Sequence, residues 1–580
     1  MSLTVIDWLC IAAALLVPPA VGLLRSSFSH HNISQYFLAG RKLPWWLAGT
    51  SMVATTFAVD TPLVVTGLVA VYGITGNWLW WNAALGSTLT VVLFSKLWRR
   101  ANVMTDLEFL ELRYSGRGAT VLRGLRSLYL GLLVNSLIIG WVNLAMSKVL
   151  TITLGWNQFT AVFVCLAATG LYSAASGLRG VVIADFIHFS IAMVGTTALA
   201  LFVLRVPAIG GIAGLLDQLP ASAIQLWPDI TQSEDSSPQA ALLLPFSAFA
   251  AYLSIQWWAS WYPGQEPGGG GYIAQRMMST RGETDAVLAT LWFTLIHYCV
   301  RPWPWIVVAL ASLVLYPNIV DPEAGYVFAI RDHLPIGWRG LVIGAFIAAY
   351  ISTVSTQLNW GSSYLINDFY KRFVQPKATE AHLVGVSRVT TLAIMCASAA
   401  VTFMLDSIRQ AWEFMLESGA GIGLVLILRW YWWRITAVTE IAALIASAGG
   451  FIYLRIYTEL QFPHSLIYLV PWTTACWLTA TFLTRPDPMP HLARFFERVR
   501  PAGAGWSRVA AAANLSPPEP LFPLLAQWLT GSVTVYLILA GAHAVIFNDW
   551  KLGILLLALG LGGVIRLVRV LLRVDEARCP

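Results

Sequence analysis

The sequence predicts an all-α polytopic membrane protein, and three observations carry that expectation. Of 580 residues, 57% are hydrophobic and 11% charged, with a mean hydropathy of +0.67, which leaves little polar chain for soluble domains. Apolar stretches of roughly 20 residues, the length that crosses a hydrocarbon core as a helix, recur along the whole chain. Basic residues gather in alternate loops, so the net charge of +7 marks cytoplasmic loops rather than a nucleic-acid surface.

About fifteen spans are expected. The first, 4–24, lacks the basic leader and cleavage pattern of a signal peptide and should be retained. The span 44–71 holds Asp60, followed by Thr61 and Pro62. Proline removes a backbone donor, so a helix broken beside a carboxylate is expected: a transporter-type site, or a kink whose carboxylate is satisfied by a neighbour. Spans 76–97, 124–150 and 157–175 follow, with Trp80 and Trp81 near the start of the first, where an interfacial belt accounts for them. The span 179–204 carries a lone carboxylate, Asp185, which needs a cation, a proton or a donor network. In 240–262, Trp257, Trp258 and Trp261 precede PGQEPGGGG, where Pro and Gly should end the helix. Those rings suit a membrane belt, or a stack on a sugar or organic cation. The span 285–314 contains Arg301, with His297 one turn before it and Pro302 and Pro304 after it. Arg301 can receive an anionic group, neutralise a carboxylate or snorkel. The spans 337–370, 382–405, 411–432, 436–457, 466–484, 521–546 and 551–573 complete the set. Glu413 and Glu417 share one helix face, at a helix end or in a pocket.

Within 337–370, the run Gly344 to Tyr370 is apolar enough to cross a bilayer, yet its centre is crowded with hydroxyls. Ala349, Ser352, Thr353 and Thr356 stand at i, i+3, i+4 and i+7, one helix face, with Ser355 beside them. Such a stripe either lets helices pack closely or offers oxygens to a hard cation such as sodium.

An odd number of spans puts the termini on opposite sides. Arg41, Lys42, Arg99, Arg100, Arg276, Arg281, Lys371 and Arg372 fall on one alternate side, as do about 28 of all Lys and Arg, which places the N-terminus outside and the C-terminus in the cytoplasm. Asp217, Asp229, Glu234 and Asp235 lie in a loop on the other side. The stretch 485–520 reads as a cytoplasmic linker with a short amphipathic helix. The six cysteines show no paired spacing. No phosphate-cradling motif appears, and GGGG at 268–271 is followed by neither a strand nor Lys-Ser/Thr, which argues against an ATP-driven pump.

The segments YFLAGRKLPWWLAGTSMVATTFA, TDLEFLELRYSG, SGLRGVVIADFIHF, YIAQRMMSTR and AAYISTVSTQLNWGSSYLINDFYK resemble, in order over roughly residues 36–435, the sodium:solute symporters, a family that includes sodium/glucose, sodium/proline and sodium/sialic acid transporters. The resemblance implies a LeuT-like core of five plus five inverted helices: 1–43 an extra helix and loop, 44–204 the first repeat, 205–239 an extracellular loop, 240–435 the second repeat, and 436–580 further helices. It implies a sodium site made by the carbonyls of Ala54, Phe57 and Ala349 and the hydroxyls of Ser352 and Thr353. A second sodium set, as in some sialic acid transporters, maps to Asp185, Ser352, Ser355 and Thr356. The substrate pocket maps to Asp60, Thr61, Trp80, Trp257, Trp261, Arg301 and Glu417. The chain departs from the pattern in two places. It has no arginine in the third core helix, and PGQEPGGGG looks like an insertion.

The expected function is sodium-coupled symport of a small organic solute across the cell membrane by alternating access, with a sugar or another neutral or zwitterionic solute favoured. Sodium is the coupling ion, and no organic cofactor, nucleic acid or obligate protein partner is expected. A transporter-like nutrient sensor is the alternative. An intramembrane enzyme is disfavoured, because His188 and His297 have no evident nucleophile partner.

Overall fold

The computed structural model describes residues 3–25, 38–173, 178–229, 242–260 and 267–576. Trp261, Glu234, Asp235 and the PGQE portion of the 263–271 run lie outside the described residues. Helices make every extended element that is described, and the one sheet-like contact is a bridge between Leu43 and Thr280.

In chain order the main helices are α1 Val5–Arg25, α2 Trp45–Thr55, α3 Asp60–Tyr72, α4 Gly116–Leu154, α5 Gln158–Ser173, α6 Leu178–Leu204, α7 Phe246–Ala251, α8 Gly271–Met278 and α9 Glu283–Leu315. Then come α10 Trp338–Ser363, α11 Glu380–Thr402, α12 Ile408–Ser418, α13 Gly423–Tyr431, α14 Ala437–Tyr457, α15 Leu466–Leu483, α16 Met489–Val499, α17 Phe522–Phe547 and α18 Trp550–Glu576.

Among the described residues ten helices are long and apolar enough to cross a membrane, the first of them Asp60–Ala101, which continues α3 past Tyr72, or eleven if the bent pair α12–α13 is one span. The expected count of fifteen is not reached because four expected spans are short or interrupted. The apolar part of α1 covers only Val5–Pro18, α5 is short, the helix begun by α7 passes through a π turn and ends at Ala259, and 44–71 is split into α2 and α3.

The split of 44–71 falls one turn earlier than Pro62 suggests. The helix ends at Thr55 and resumes at Asp60. Pro62 then sits in the first turn of α3, where a missing N–H is harmless. A second interruption separates the Trp257–Ala259 turn from α8, and a third separates α12 from α13. Cavity-lining backbone is the one place where such breaks are tolerated at membrane depth.

The ends of the helices show how the fold is held. Asp7 of α1 is fully buried. Its carboxylate accepts from the amides of Gly337 (2.8 Å) and Gly340 (3.2 Å) and from Arg339 (3.0 Å), which caps the start of α10. A Cβ at Gly340 would collide with the Asp7 backbone, so glycine permits the approach. At the opposite end of the core, Arg113 donates to the terminal carbonyls of α13 and the turn after it, Arg429 (2.6 Å), Trp432 (3.0 Å) and Ile435 (3.1 Å). Its guanidinium lies over the rings of Phe495 and Trp506. Leu492, Phe495, Phe496 and Val499 of the amphipathic α16 are buried there. This is the short helix expected within 485–520.

Asp7→Ala would leave Arg339 and the amides of Thr4, Gly337 and Gly340 without their acceptor. Loss of such a buried pair costs about 3 kcal/mol, so the detergent-purified variant should melt several degrees below wild type. Asp7→Asn, which keeps an acceptor oxygen, should fall between them in a thermal-denaturation series.

Candidate functional site

The gap between α2 and α3 opens onto a cavity walled by α4, α9, α10 and α12. Among its lining residues are Thr56, Asp60, Thr61, Trp80, Trp141, His297, Arg301, Thr353, Gln357 and Trp412. Asp60, His297 and Arg301 are each at most 5% exposed.

Arg301 answers the broken backbone directly. Its Nη1 donates to the carbonyl of Val53 (3.2 Å), near the carbonyl end of α2, and to the Thr56 hydroxyl (3.1 Å). Its Nη2 stands 3.4 Å from His297 Nε2, and its guanidinium lies over Trp305 at 5.4 Å. Because arginine only donates, His297 accepts through Nε2 and donates from Nδ1 to the Thr56 oxygen at 3.1 Å. The Thr56 hydroxyl proton goes to Val53 O at 2.8 Å. The Arg301 Nε has no partner.

Asp60 is the first residue of α3, where the helix dipole and free amides favour an anion. The amides of Asp60 and Thr61 and the indole of Trp141 face its carboxylate. Among the described residues no direct ion pair joins Asp60 to Arg301, although both line the cavity and their charges attract across it. Each charge is therefore held at the helix end of opposite sign: Arg301 at the carbonyl end of α2, Asp60 at the amide end of α3.

Beside the break, Ala349 and Thr353 of α10 are buried, and Ser352 is partly so. α10 touches α2. The Thr353 Oγ1 is buried without any hydrogen-bond partner, at a depth where an orphaned hydroxyl costs about 1–3 kcal/mol. Ser352 donates to Asp185 Oδ1 at 2.7 Å, which leaves its lone pairs free. Ala54 O accepts from the Phe57 amide at 3.0 Å and keeps a second lone pair.

Asp185 meets a different set from the expected one. Besides Ser352, it accepts from Ser51 (2.8 Å) and faces the fully buried Arg276 at 4.0 Å. Arg276 also reaches Ser51 and Thr55, each at 3.4 Å. Ser355 turns its hydroxyl to the Ser352 carbonyl (3.1 Å), and Thr356 makes no contact with Asp185. Both Ser51 and Arg276 stand in segments that carry the family resemblance, and that resemblance is the one signal that could have found them.

Of the expected pocket residues, Asp60, Thr61, Trp80 and Arg301 line the cavity, and two others stand elsewhere. Trp257 packs against Trp528 of α17 (5.4 Å) and donates to Leu253 O. Glu417 is fully buried but pairs with Arg455 of α14 at 2.6 Å, because the α12–α13 break turns it towards the outer helices. Trp261 lies outside the described residues. His297, Thr56, Trp141 and Gln357 were not anticipated. His297 is i, i−4 from Arg301, a spacing that places both on one face.

Residues 36–449 match the sodium:solute symporter family. The chain is 23% identical over 475 residues to the sodium/glucose cotransporter of Vibrio parahaemolyticus, a match covering 76% of this chain and 83% of that one. It is 25% identical over 429 residues to sodium/glucose cotransporter 1 of Sus scrofa, covering 68% of this chain and 62% of that one. The solved structure of a Na+-coupled sialic acid symporter, substrate-bound and outward-open, superposes with a TM-score of 0.64 at 17% identity over 84% of this chain and 99% of that one. The shared fold is the LeuT-like helical core.

Proposed function

The chain belongs to the sodium:solute symporter family, and on that premise we propose that it moves a small organic solute into the cell together with sodium, by alternating access. The observation that carries this reading is the Thr353 hydroxyl, buried and unpartnered beside the gap in α2–α3. A small hard cation held there by the carbonyls of Ala54, Phe57 and Ala349 and the hydroxyls of Ser352 and Thr353 would satisfy it, and would tie α10 to the interrupted helix. Sodium entering with the gradient supplies its concentration term plus about 2.3 kcal/mol per charge per 100 mV. The charge bias of the loops favours the cell membrane, with the N-terminus outside.

One sodium per cycle is the reading the side chains favour. Arg276 already supplies a positive charge to Asp185, so a second cation there would add to a compensated site. Two-sodium coupling through Asp185, Ser352, Ser355 and Thr356 is the alternative.

For the solute, Asp60 and Arg301 offer an acceptor and a donor that are not joined in a direct ion pair. Hydroxyl groups can donate to the first and accept from the second, and a zwitterion can do so with charge. A purely anionic solute would suit Arg301 and be repelled by Asp60. Trp80, Trp141 and Trp412 supply ring faces in the same cavity. A sugar or another neutral or zwitterionic solute fits, and the names of the sodium/glucose relatives point the same way. Thermal-shift screening of the purified protein against sugars, amino acids, organic acids and quaternary amines, with and without sodium, tests it. Stabilisation by a neutral or zwitterionic solute that grows with sodium is expected, and stabilisation by organic acids alone would contradict it.

Three substitution experiments follow from these assignments. Ser352→Ala and Thr353→Ala each remove a ligand oxygen and should raise the sodium concentration for half-maximal uptake, with expression preserved. Unaltered sodium dependence in the double variant would sink the site. Asp185→Asn should leave the Hill coefficient for sodium near one and lower thermal stability, because Arg276 loses its counter-charge. A wild-type coefficient near two that falls to one in the variant would instead establish the second sodium. Asp60→Asn and Arg301→Gln should each weaken solute binding by roughly 1.5–3 kcal/mol, the range for hydrogen bonds to charged groups; Asp60→Asn should leave sodium binding nearly intact, whereas Arg301→Gln, which frees the Val53 carbonyl, should weaken it as well. Calorimetry on each variant reads both quantities.

A further inference from the structure

One helical turn beyond Thr353 on α10 lies Gln357, which also lines the cavity. It is 3% exposed and its Oε1 has no partner. Directly across the seam, Asn135 of α4 is fully buried. Its amide nitrogen donates to the Gln357 carbonyl at 2.9 Å, and its own Oδ1 has no partner. Two amide oxygens on facing helices, linked through the Asn135 amide and the Gln357 backbone carbonyl, are thus left bare, with the bare hydroxyl of Thr353 one turn before Gln357. An unsatisfied buried acceptor costs about 1–3 kcal/mol, and these three belong to the same two helices, α4 and α10. Water or a cation is what oxygens without donors accept.

The seam below them is built to part. Gly131 and Gly361 cross with their backbones touching, since a Cβ at Gly361 would collide with Gly131 O and the Asn135 amide, and one at Gly131 would press on Gly361 O. Next to the crossing, both helices switch to π geometry, at Tyr129–Val134 in α4 and at Tyr364–Val374 after α10. A π turn leaves backbone carbonyls short of their usual partner and is a frequent mark of function. Past the crossing the seam ends on carboxylates. Asp106 accepts from Tyr364 and from the Gly271 amide at 3.2 Å. Asp368 and Glu111 share Arg123. This end lies on the side where the basic loops gather.

We propose that Gln357 Oε1 and Asn135 Oδ1 form a sodium-coordinating station one turn beyond the loading site, the first step of a release route along the α4–α10 seam towards Asp106 and Asp368. The proposal rests on the sodium reading of Ser352 and Thr353. A sodium leaving Thr353 would exchange one hydroxyl for the amide oxygens one helical turn further along α10. The glycine crossing then has to slide before the ion reaches the acidic end. The station is weak by design, because neutral amide oxygens hold sodium less firmly than a carboxylate does.

The test uses the purified full chain and sodium chloride as probe, with choline chloride holding ionic strength constant. Gln357→Glu places a carboxylate at the station and should lower the sodium concentration for half-maximal thermal stabilisation about tenfold, a factor set by added charge on a buried cation site. Adding Asn135→Leu to that variant should abolish the gain. A Gln357→Glu midpoint within about twofold of wild type, or a gain that survives Asn135→Leu, would overturn the station. If Gln357→Glu does not fold, wild-type crystals soaked in thallium(I) decide the matter: an anomalous peak between Gln357 and Asn135 is expected, and its absence would overturn the proposal. Failure of the underlying reading looks different, because sodium would then not stabilise the wild type at all.

Discussion

Inside a bilayer a carbonyl released by a helix break has no water to turn to, so a chain that interrupts its helix at Thr56–Val59 must bring donors to the gap. Arg301 does this from α9, reaching Val53 O and Thr56 together. His297 completes the arrangement from the same helix face. The arrangement has consequences beyond the gap. It holds α9 against the interrupted helix, it places a fixed positive charge at the negative end of α2, and it leaves Asp60 at the positive end of α3 free to face the cavity. The oxygens still unsatisfied, chiefly Thr353 Oγ1, are then those available to a mobile cation.

The same rule governs the other breaks. Where α12 ends, Ser447 of α14 donates to the freed carbonyls of Ser418 (2.9 Å) and Ala420 (2.8 Å), and the Gly421 amide donates to Ala259 O at 2.9 Å. The left-handed Gly421 also lets Thr473 of α15 approach, since a Cβ there would meet it. The helices after the core are therefore working parts of the third break, not decoration around it. Buried charge is treated the same way. Asp185 is matched by Arg276, Asp7 by Arg339 and Glu417 by Arg455, so the charges left without an ion-pair partner in the cavity, Asp60 and Arg301, stand out.

Much of this was legible in the residues. The i, i+3, i+4 spacing by itself places Ala349, Ser352 and Thr353 on one face, because helical periodicity is a local property. The carboxylates Asp60 and Asp185 and the cation Arg301 announced themselves by standing in apolar runs. The position of the first break was misjudged by a turn because proline is harmless at the start of a helix, and no residue type at Thr56–Val59 signals a break by itself. The partners were the harder part. Arg276 for Asp185 and Arg455 for Glu417 lie far away in sequence, and a helix face does not reveal which distant helix it will meet. The family resemblance places Trp257 in the pocket, while its own setting beside a break suits a membrane belt equally. Its partner, Trp528, belongs to a helix outside the core, and nothing local to Trp257 foretells that contact.

The central claim is that the gap in α2–α3 and the hydroxyls of α10 together hold sodium. Equilibrium binding of radioactive sodium to the purified wild-type chain, with potassium as competitor, tests it most directly. The account predicts saturable binding near one sodium per chain that potassium does not displace. No saturable binding, or binding that potassium displaces equally well, would contradict it.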